Sequence, residues 1–215
     1  MIAYDAVGNG SGVTNKTSIS WSHTCSSGDN RLLLVFIRTG SDQGDTTTGA
    51  TYNGVAMTKM SKTPNCGGVS RSTLIGFYLL NPASGAHTVT VNFTSTTYVE
   101  GASISYTGVA QIGFPDSINE KIKTNVSSFS VSTTTIKSKC WTTLATIDDS
   151  SRNAGAGSYE RVTQNGIVIF DSNADITTPS STTMATTGNT KDLAGIIVSF
   201  APQQASGGAF LLNFM

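Results

Sequence analysis

Hydrophobic and polar residues alternate along much of this chain with a period of two. In Thr88-Val89-Thr90-Val91-Asn92-Phe93-Thr94 the two valines and the phenylalanine fall on one side of an extended backbone and the polar residues on the other. That is how a strand buries one face and wets its opposite. Ala102-Ser103-Ile104-Ser105-Tyr106 and Ser128-Phe129-Ser130-Val131-Ser132 repeat it, and Thr17 to His23 places Ile19, Trp21 and His23 together. Arg31-Leu32-Leu33-Leu34-Val35-Phe36-Ile37-Arg38 is apolar on both faces, so it must be covered on both and is expected at the centre of the fold.

Turn chemistry divides these runs. Asn53-Gly54 predicts a type I′ hairpin, Asn81-Pro82-Ala83-Ser84-Gly85 a turn that Gly85 releases, and Gln164-Asn165-Gly166 a second hairpin. Gln111 to Asn125, with Phe114-Pro115-Asp116 inside it, reads as an irregular connection. Beyond it the pattern predicts strands over Ser127 to Ile136, Trp141 to Ile147, Thr182 to Thr187 and Leu193 to Phe200. The expectation is an all-β, antiparallel β-sandwich in one domain over residues 1–202, followed by a linker and tail over 203–215.

The tail changes the picture. After Pro202, Gln203-Gln204-Ala205-Ser206-Gly207-Gly208 has the composition of a flexible linker. It leads to Phe210, Leu211, Leu212, Phe214 and Met215, which would promote aggregation if left bare. Something must cover them. Either the tail folds back as an edge strand of its own sheet or it is donated to a neighbouring subunit by strand addition.

Composition narrows the functions. The chain has 215 residues and a formal net charge of zero, and only 12% of it is charged. Ordinary globular proteins carry about a quarter. Its 28 serines and 32 threonines take over the surface role of lysine and glutamate. A neutral surface lacks the basic stripe that nucleic-acid binding needs. No basic-then-apolar leader is visible at the first residues, and no apolar run approaches the roughly 20 residues that span a bilayer. Three cysteines, Cys25, Cys66 and Cys140, are too few and too odd in number for a disulfide framework, so free thiols are expected.

Chemistry-bearing patterns are sparse. Glycoside hydrolysis needs two facing carboxylates, yet the chain has only three glutamates, Glu100, Glu120 and Glu160, and none forms an alternating acid pair on a strand. Asp148-Asp149 suits a turn. His23 and Cys25 would share a face of an extended chain, a thiol with a potential base, but no orienting group accompanies them and ordinary strand residues are the simpler reading. Asp171-Ser172-Asn173-Ala174-Asp175 matches the first three ligand positions of a calcium loop, whereas Ile176 replaces its glycine and Thr182 its bidentate glutamate, leaving an Asx turn. No catalytic residue, metal or cofactor is therefore expected. Tyr52, Tyr98 and Tyr159 are candidates to face a glycan, and Trp21 and Trp141 read as core.

Four stretches together carry a resemblance: Thr51-Tyr52-Asn53-Gly54-Val55-Ala56-Met57-Thr58, Phe77-Tyr78-Leu79-Leu80-Asn81-Pro82, Gly85-Ala86-His87-Thr88-Val89-Thr90-Val91 and Ser105-Tyr106-Thr107-Gly108-Val109. In strand-and-turn pattern they resemble β-sandwich structural proteins of tailed bacteriophages and related bacterial genes, over about half the chain. The ending Gly207 to Phe214 is similar to the tails of such proteins. The resemblance implies a jelly-roll virion component made in a host cytoplasm, namely a capsid decoration, vertex or tail-associated protein. Its partners would be copies of itself or other virion proteins, and it would not be an enzyme. A glycan- or receptor-binding module is the first alternative and a glycoside hydrolase with scattered acids the second.

Overall fold

The computed structural model describes residues 1–40, 44–66, 72–95, 98–147, 152–164 and 166–204. Strand β1 (Ala3–Thr14) leads into β2 (Ser18–Cys25), whose residues alternate exposed and buried along its whole length, with Ile19, Trp21, His23 and Cys25 inward. Then β3 (Leu32–Gly40) is buried over its first eight residues, as a run apolar on both faces requires. The hairpin of β4 (Thr47–Tyr52) and β5 (Val55–Ala56) turns at Asn53 (φ 50°) and Gly54 (φ 76°), two successive positive φ angles. There follow β6 (Thr58–Lys62), β7 (Ser72–Leu80), β8 (Gly85–Phe93) and β9 (Tyr98–Thr107).

These nine strands form two antiparallel sheets. The outer sheet has the order β2-β8-β4-β5 and the central sheet β1-β9-β3-β7-β6. Between them lie Leu33, Val35, Ile37, Ile75 and Phe77 from the centre and Ile19, Trp21, Tyr52, Val89 and Val91 from outside. Trp21 fits because two strand glycines make room for it. A Cβ at Gly10 would stand 2.6 Å from Trp21 Cε3, and one at Gly101 2.6 Å from its Cη2 and Cζ3.

The second half of the chain supplies β10 (Ser117–Thr134), β11 (Trp141–Ile147), β12 (Asn153–Ala154), β13 (Tyr159–Gln164), β14 (Ile167–Asp171) and β15 (Ser181–Phe200). They form a third sheet, β10-β15-β11-β14-β13, which packs on the free face of the central sheet. Leu32, Leu34, Phe36, Ile104 and Tyr106 meet Trp141, Ala145, Ile169, Ile196, Val198 and Phe200 there. The sandwich thus has three stacked sheets, and β3 lies in the middle one, as its two apolar faces demand. Each such fully buried Leu, Ile or Phe contributes roughly 1.5–3 kcal/mol of transfer free energy.

Two corrections to the sequence reading concern β10 and β15. Ser117 to Asn125 is strand, where an irregular connection was expected, and Thr182–Thr187 and Leu193–Phe200 are parts of one strand of 20 residues. The β10–β15 ribbon is folded over. Its pairing register shifts on both sides of Val126, and past this point β10 returns over its own first half, so that Asn119 Nδ2 donates to Ser132 O (2.8 Å) and Lys121 Nζ to Ser130 O (2.7 Å). The returning segment carries Phe129, Val131 and Met184 onto the outer face of the third sheet, over Leu144, Val168, Phe170 and Ile197. Strand β12 pairs with Thr186 and Thr187 to complete this flap. Arg152, 1% exposed, pins the flap by donating from Nε to Thr186 Oγ1 (2.9 Å) and from Nη2 to Ser127 O (2.9 Å).

Candidate functional site

His23 and Cys25 share a buried face of β2, as their spacing requires, and the network around His23 extends well beyond the cysteine. Its Nδ1 lies 2.8 Å from Ser103 Oγ and its Nε2 2.9 Å from Ser105 Oγ, while Ser105 donates to Asp5 Oδ2 at 2.7 Å. Trp21 Nε1 donates to Ser103 Oγ (2.9 Å), and Ser26 N–H to Asp5 Oδ2 (3.0 Å). Ser105 gives its only proton to the carboxylate, so it accepts from His23 Nε2–H; in the neutral ring Nδ1 is then bare and accepts from Ser103, whose hydroxyl also lies 3.2 Å from Gly8 O.

The resulting chain runs from Trp21 through Ser103, His23 and Ser105 to Asp5, with every donor pointing one way. Burial holds the His23 pKa down at about 4 against the pull of Asp5, so the ring is neutral. A serine between aspartate and histidine reverses the order a nucleophilic triad needs, and the ring is 1% exposed. Burial also raises the Cys25 thiol pKa, the opposite of an activated nucleophile. Cys66 and Cys140 are likewise free and buried, with the Cys140 pKa pushed up to about 11.

The acids are occupied. Glu100, 2% exposed, receives Arg38 Nη1 on Oε2 (3.2 Å) and the Tyr98 hydroxyl on Oε1 (2.5 Å). Glu160 accepts from Thr163 Oγ1 and Glu120 from the Ser61 hydroxyl. Glu120 also lines a cleft of about 340 Å³ with Asp45, which sequence reasoning had not singled out. Burial pushes Asp45 up, but Lys59 Nζ at 2.7 Å and the Thr47 hydroxyl at 2.6 Å outweigh it and hold the carboxyl below its usual value. A glycosidase acid needs the reverse shift. Asp148 and Asp149 lie outside the described residues.

The calcium-like loop is filled from within. Asn173 N–H closes an Asx turn on Asp171 Oδ1 (3.0 Å), Arg161 Nε donates to Asp171 Oδ2 (2.7 Å), and Asp175 Oδ1 accepts from Trp141 Nε1 (2.9 Å). Among the described residues no group of three His, Cys, Asp or Glu side chains could hold a metal ion.

Of the three tyrosines expected to face a ligand, Tyr52 is corrected. It is fully buried, with its hydroxyl 3.1–3.3 Å from the carbonyls of His23, Ala83 and Gly85, because its alternation on β4 points it between the sheets. Tyr98 is 37% exposed but spends its hydroxyl on Glu100, and Tyr159 is 51% exposed. Tyr159 belongs to an arrangement the sequence reading missed. The Arg161 guanidinium lies between two rings, 4.2 Å from the Tyr4 centroid and 4.4 Å from that of Tyr159, and Nη2 donates to Asn173 Oδ1 at 2.6 Å. The i, i+2 spacing of Tyr159 and Arg161 was the available signal, whereas Tyr4 is brought from the far end of the chain. Trp21 and Trp141 are buried at 7% and 8% exposure.

Among the described residues no helix is long and apolar enough to cross a membrane. The expected assembly residues Phe210, Leu211, Leu212, Phe214 and Met215 lie outside the described residues. No family model, no curated protein and no solved structure matches this chain.

Proposed function

We propose that this chain is a non-enzymatic structural protein of a virion, of jelly-roll type, that assembles with copies of itself or with other shell or tail proteins. The observation that carries the reading is strand order. Chain order alternates between β1-β9-β3-β7 of the central sheet and β2-β8-β4-β5 of the outer one. Strands one, eight, three and six of an eight-stranded double Greek key, counted without β6, face strands two, seven, four and five, the arrangement found in viral capsid and lectin domains. The neutral, closed His23 network and the occupied acids are what a scaffold contains, and the hydroxyl-rich surface avoids unselective attraction to nucleic acid. The third sheet extends the stack beyond a bare jelly roll.

The test is solution mass by light scattering after gel filtration, for the full chain and for one ending at Gln204. A defined oligomer from the full chain and a folded monomer from the shorter one are expected. Two identical monomers would overturn self-assembly through the tail.

A second reading, a glycan-binding module, draws on Tyr159. Its half-exposed ring carries the Arg161 guanidinium 4.4 Å from its centroid, and an exposed aromatic ring can serve as a stacking platform for a sugar face. Saturable binding to a glycan array, abolished by Tyr159→Ala with the fold retained, would favour it.

A further inference from the structure

Two large apolar side chains stand nearly bare at one end of the stack. Ile112 is 87% exposed and Ile136 68%. They belong to neighbouring loops: a Cβ placed on Gly113 would lie 2.9 Å from Lys137 Nζ. Asp116 fixes the second loop by accepting from the backbone N–H groups of Ile136 (2.8 Å) and Lys137 (3.1 Å). The site is therefore built, and it holds two β-branched side chains out toward solvent.

The chain leaves the stack beside these loops. Ala110 N–H donates to Ala201 O (2.9 Å), Gln203 N–H to Gly108 O (2.8 Å), and Val109 bridges Pro202 between them. Gln203 Oε1 accepts from Gln111 N–H (3.4 Å), the residue before Ile112. Gln204 then lines a cleft of about 300 Å³ with Met1, Lys139, Asp175 and Pro202. Eleven residues follow, Ala205 to Met215, polar and glycine-rich first and then dominated by Phe210, Leu211, Leu212, Phe214 and Met215.

We propose that Ile112 and Ile136 form the acceptor surface for the apolar C-terminal segment of a second copy of this chain. The inference rests on the assembly reading above and names the surface through which assembly occurs. Direction selects the second copy. Residues 201–203 run antiparallel to 108–110, so the chain heads back toward Thr107 and away from its own Ile112. To cover that residue its own tail would have to reverse within the linker. Eleven extended residues span at most about 36 Å, enough to reach a neighbouring molecule. Burying the two isoleucines against the tail removes both apolar exposures at once.

The test uses the full chain. Ile112→Ser with Ile136→Ser is expected to turn the oligomer into a 22.4 kDa monomer while leaving the thermal midpoint unchanged, since both side chains are exposed. A tail-dependent oligomer that survives both substitutions overturns this inference alone, and a wild-type chain that is itself monomeric overturns the assembly reading with it. A second variant, Ile112→Cys with Leu212→Cys, is oxidised and run on a non-reducing gel. The native thiols are buried and do not compete. Covalently linked copies are expected; a bond within one chain, or none, overturns the proposal.

Discussion

The Nε2 of His23 and the hydroxyl of Ser105 stand 2.9 Å apart in the interior, and the same hydroxyl is spent on Asp5, so the histidine is a donor there, and burial keeps its ring neutral. Its neutrality has a price in acid. The folded pKa is about 4, against roughly 6.5 for an unfolded histidine, so between these values the unfolded chain binds the proton and the folded one does not.

Stability is therefore expected to be fully retained above pH 6.5 and to fall as pH drops toward 4. His23 accounts for about 3 kcal/mol over that window. Denaturant unfolding at pH 7 and at pH 4.5 checks this. His23→Gln should be less stable at neutral pH yet lose less on acidification. An unchanged slope would remove His23 as the cause.

Arg161 and Asp171 form a buried pair, and burial keeps the Asp171 carboxyl above its usual value although Arg161 pulls it down. Arg161→Met should cost about 3 kcal/mol or more because it strands a carboxylate that is fully buried. Adding Asp171→Asn should recover most of the loss, as measured by denaturant midpoints. Equal losses in the single and double variants would contradict it.

Gly101→Ala is expected to destabilise by about 1–3 kcal/mol through overpacking, since the new methyl would meet the Trp21 ring at 2.6 Å and Ile37 Cδ1 at 3.2 Å. Tryptophan fluorescence should shift with it. Gly49→Ala, where nothing lies within 4 Å of the added carbon, is the control.

Arg152→Ala should loosen the flap before the rest of the molecule. Hydrogen exchange is expected to accelerate over 128–134 and 181–187 while β3 and β9 stay protected. Uniform acceleration would mean that the flap opens only with the whole fold.

Much of the two-sheet half was legible because its strands obey local rules. Ser18 to Cys25 alternates perfectly, Leu32 to Arg38 announces two covered faces, and Asn53-Gly54 turns where its φ requirements place it. The fold-over of β10 and β15 was not legible. Ile118, Glu120 and Ile122 share a strand face, mixing charge with apolar bulk, and the bend near Val126 is made by two register shifts whose local marks, Asn125 at φ 54° on β10 and Gly188 between Thr187 and Lys191 on β15, sit inside otherwise strand-like sequence. Buried hydroxyls hid the third sheet: Thr142, Thr143 and Thr146 are all fully buried on β11, where composition assigned Thr to the surface. Around His23 the face was readable from β2, but Ser103, Ser105 and Asp5 arrive from the two strands of another sheet, and a period of two carries no record of cross-sheet partners.

The place of β15 between β10 and β11 bears on how the protein is made. A ribosome has released every strand of the two-sheet half by Thr107, but the third sheet cannot join until Phe200 emerges, about 90 residues later. At typical elongation rates that interval is on the order of ten seconds. If the first two sheets fold as they emerge, Leu34, Phe36, Ile104 and Tyr106 wait for the third-sheet residues that cover them in the finished protein, so the nascent chain is expected to be the more aggregation-prone form.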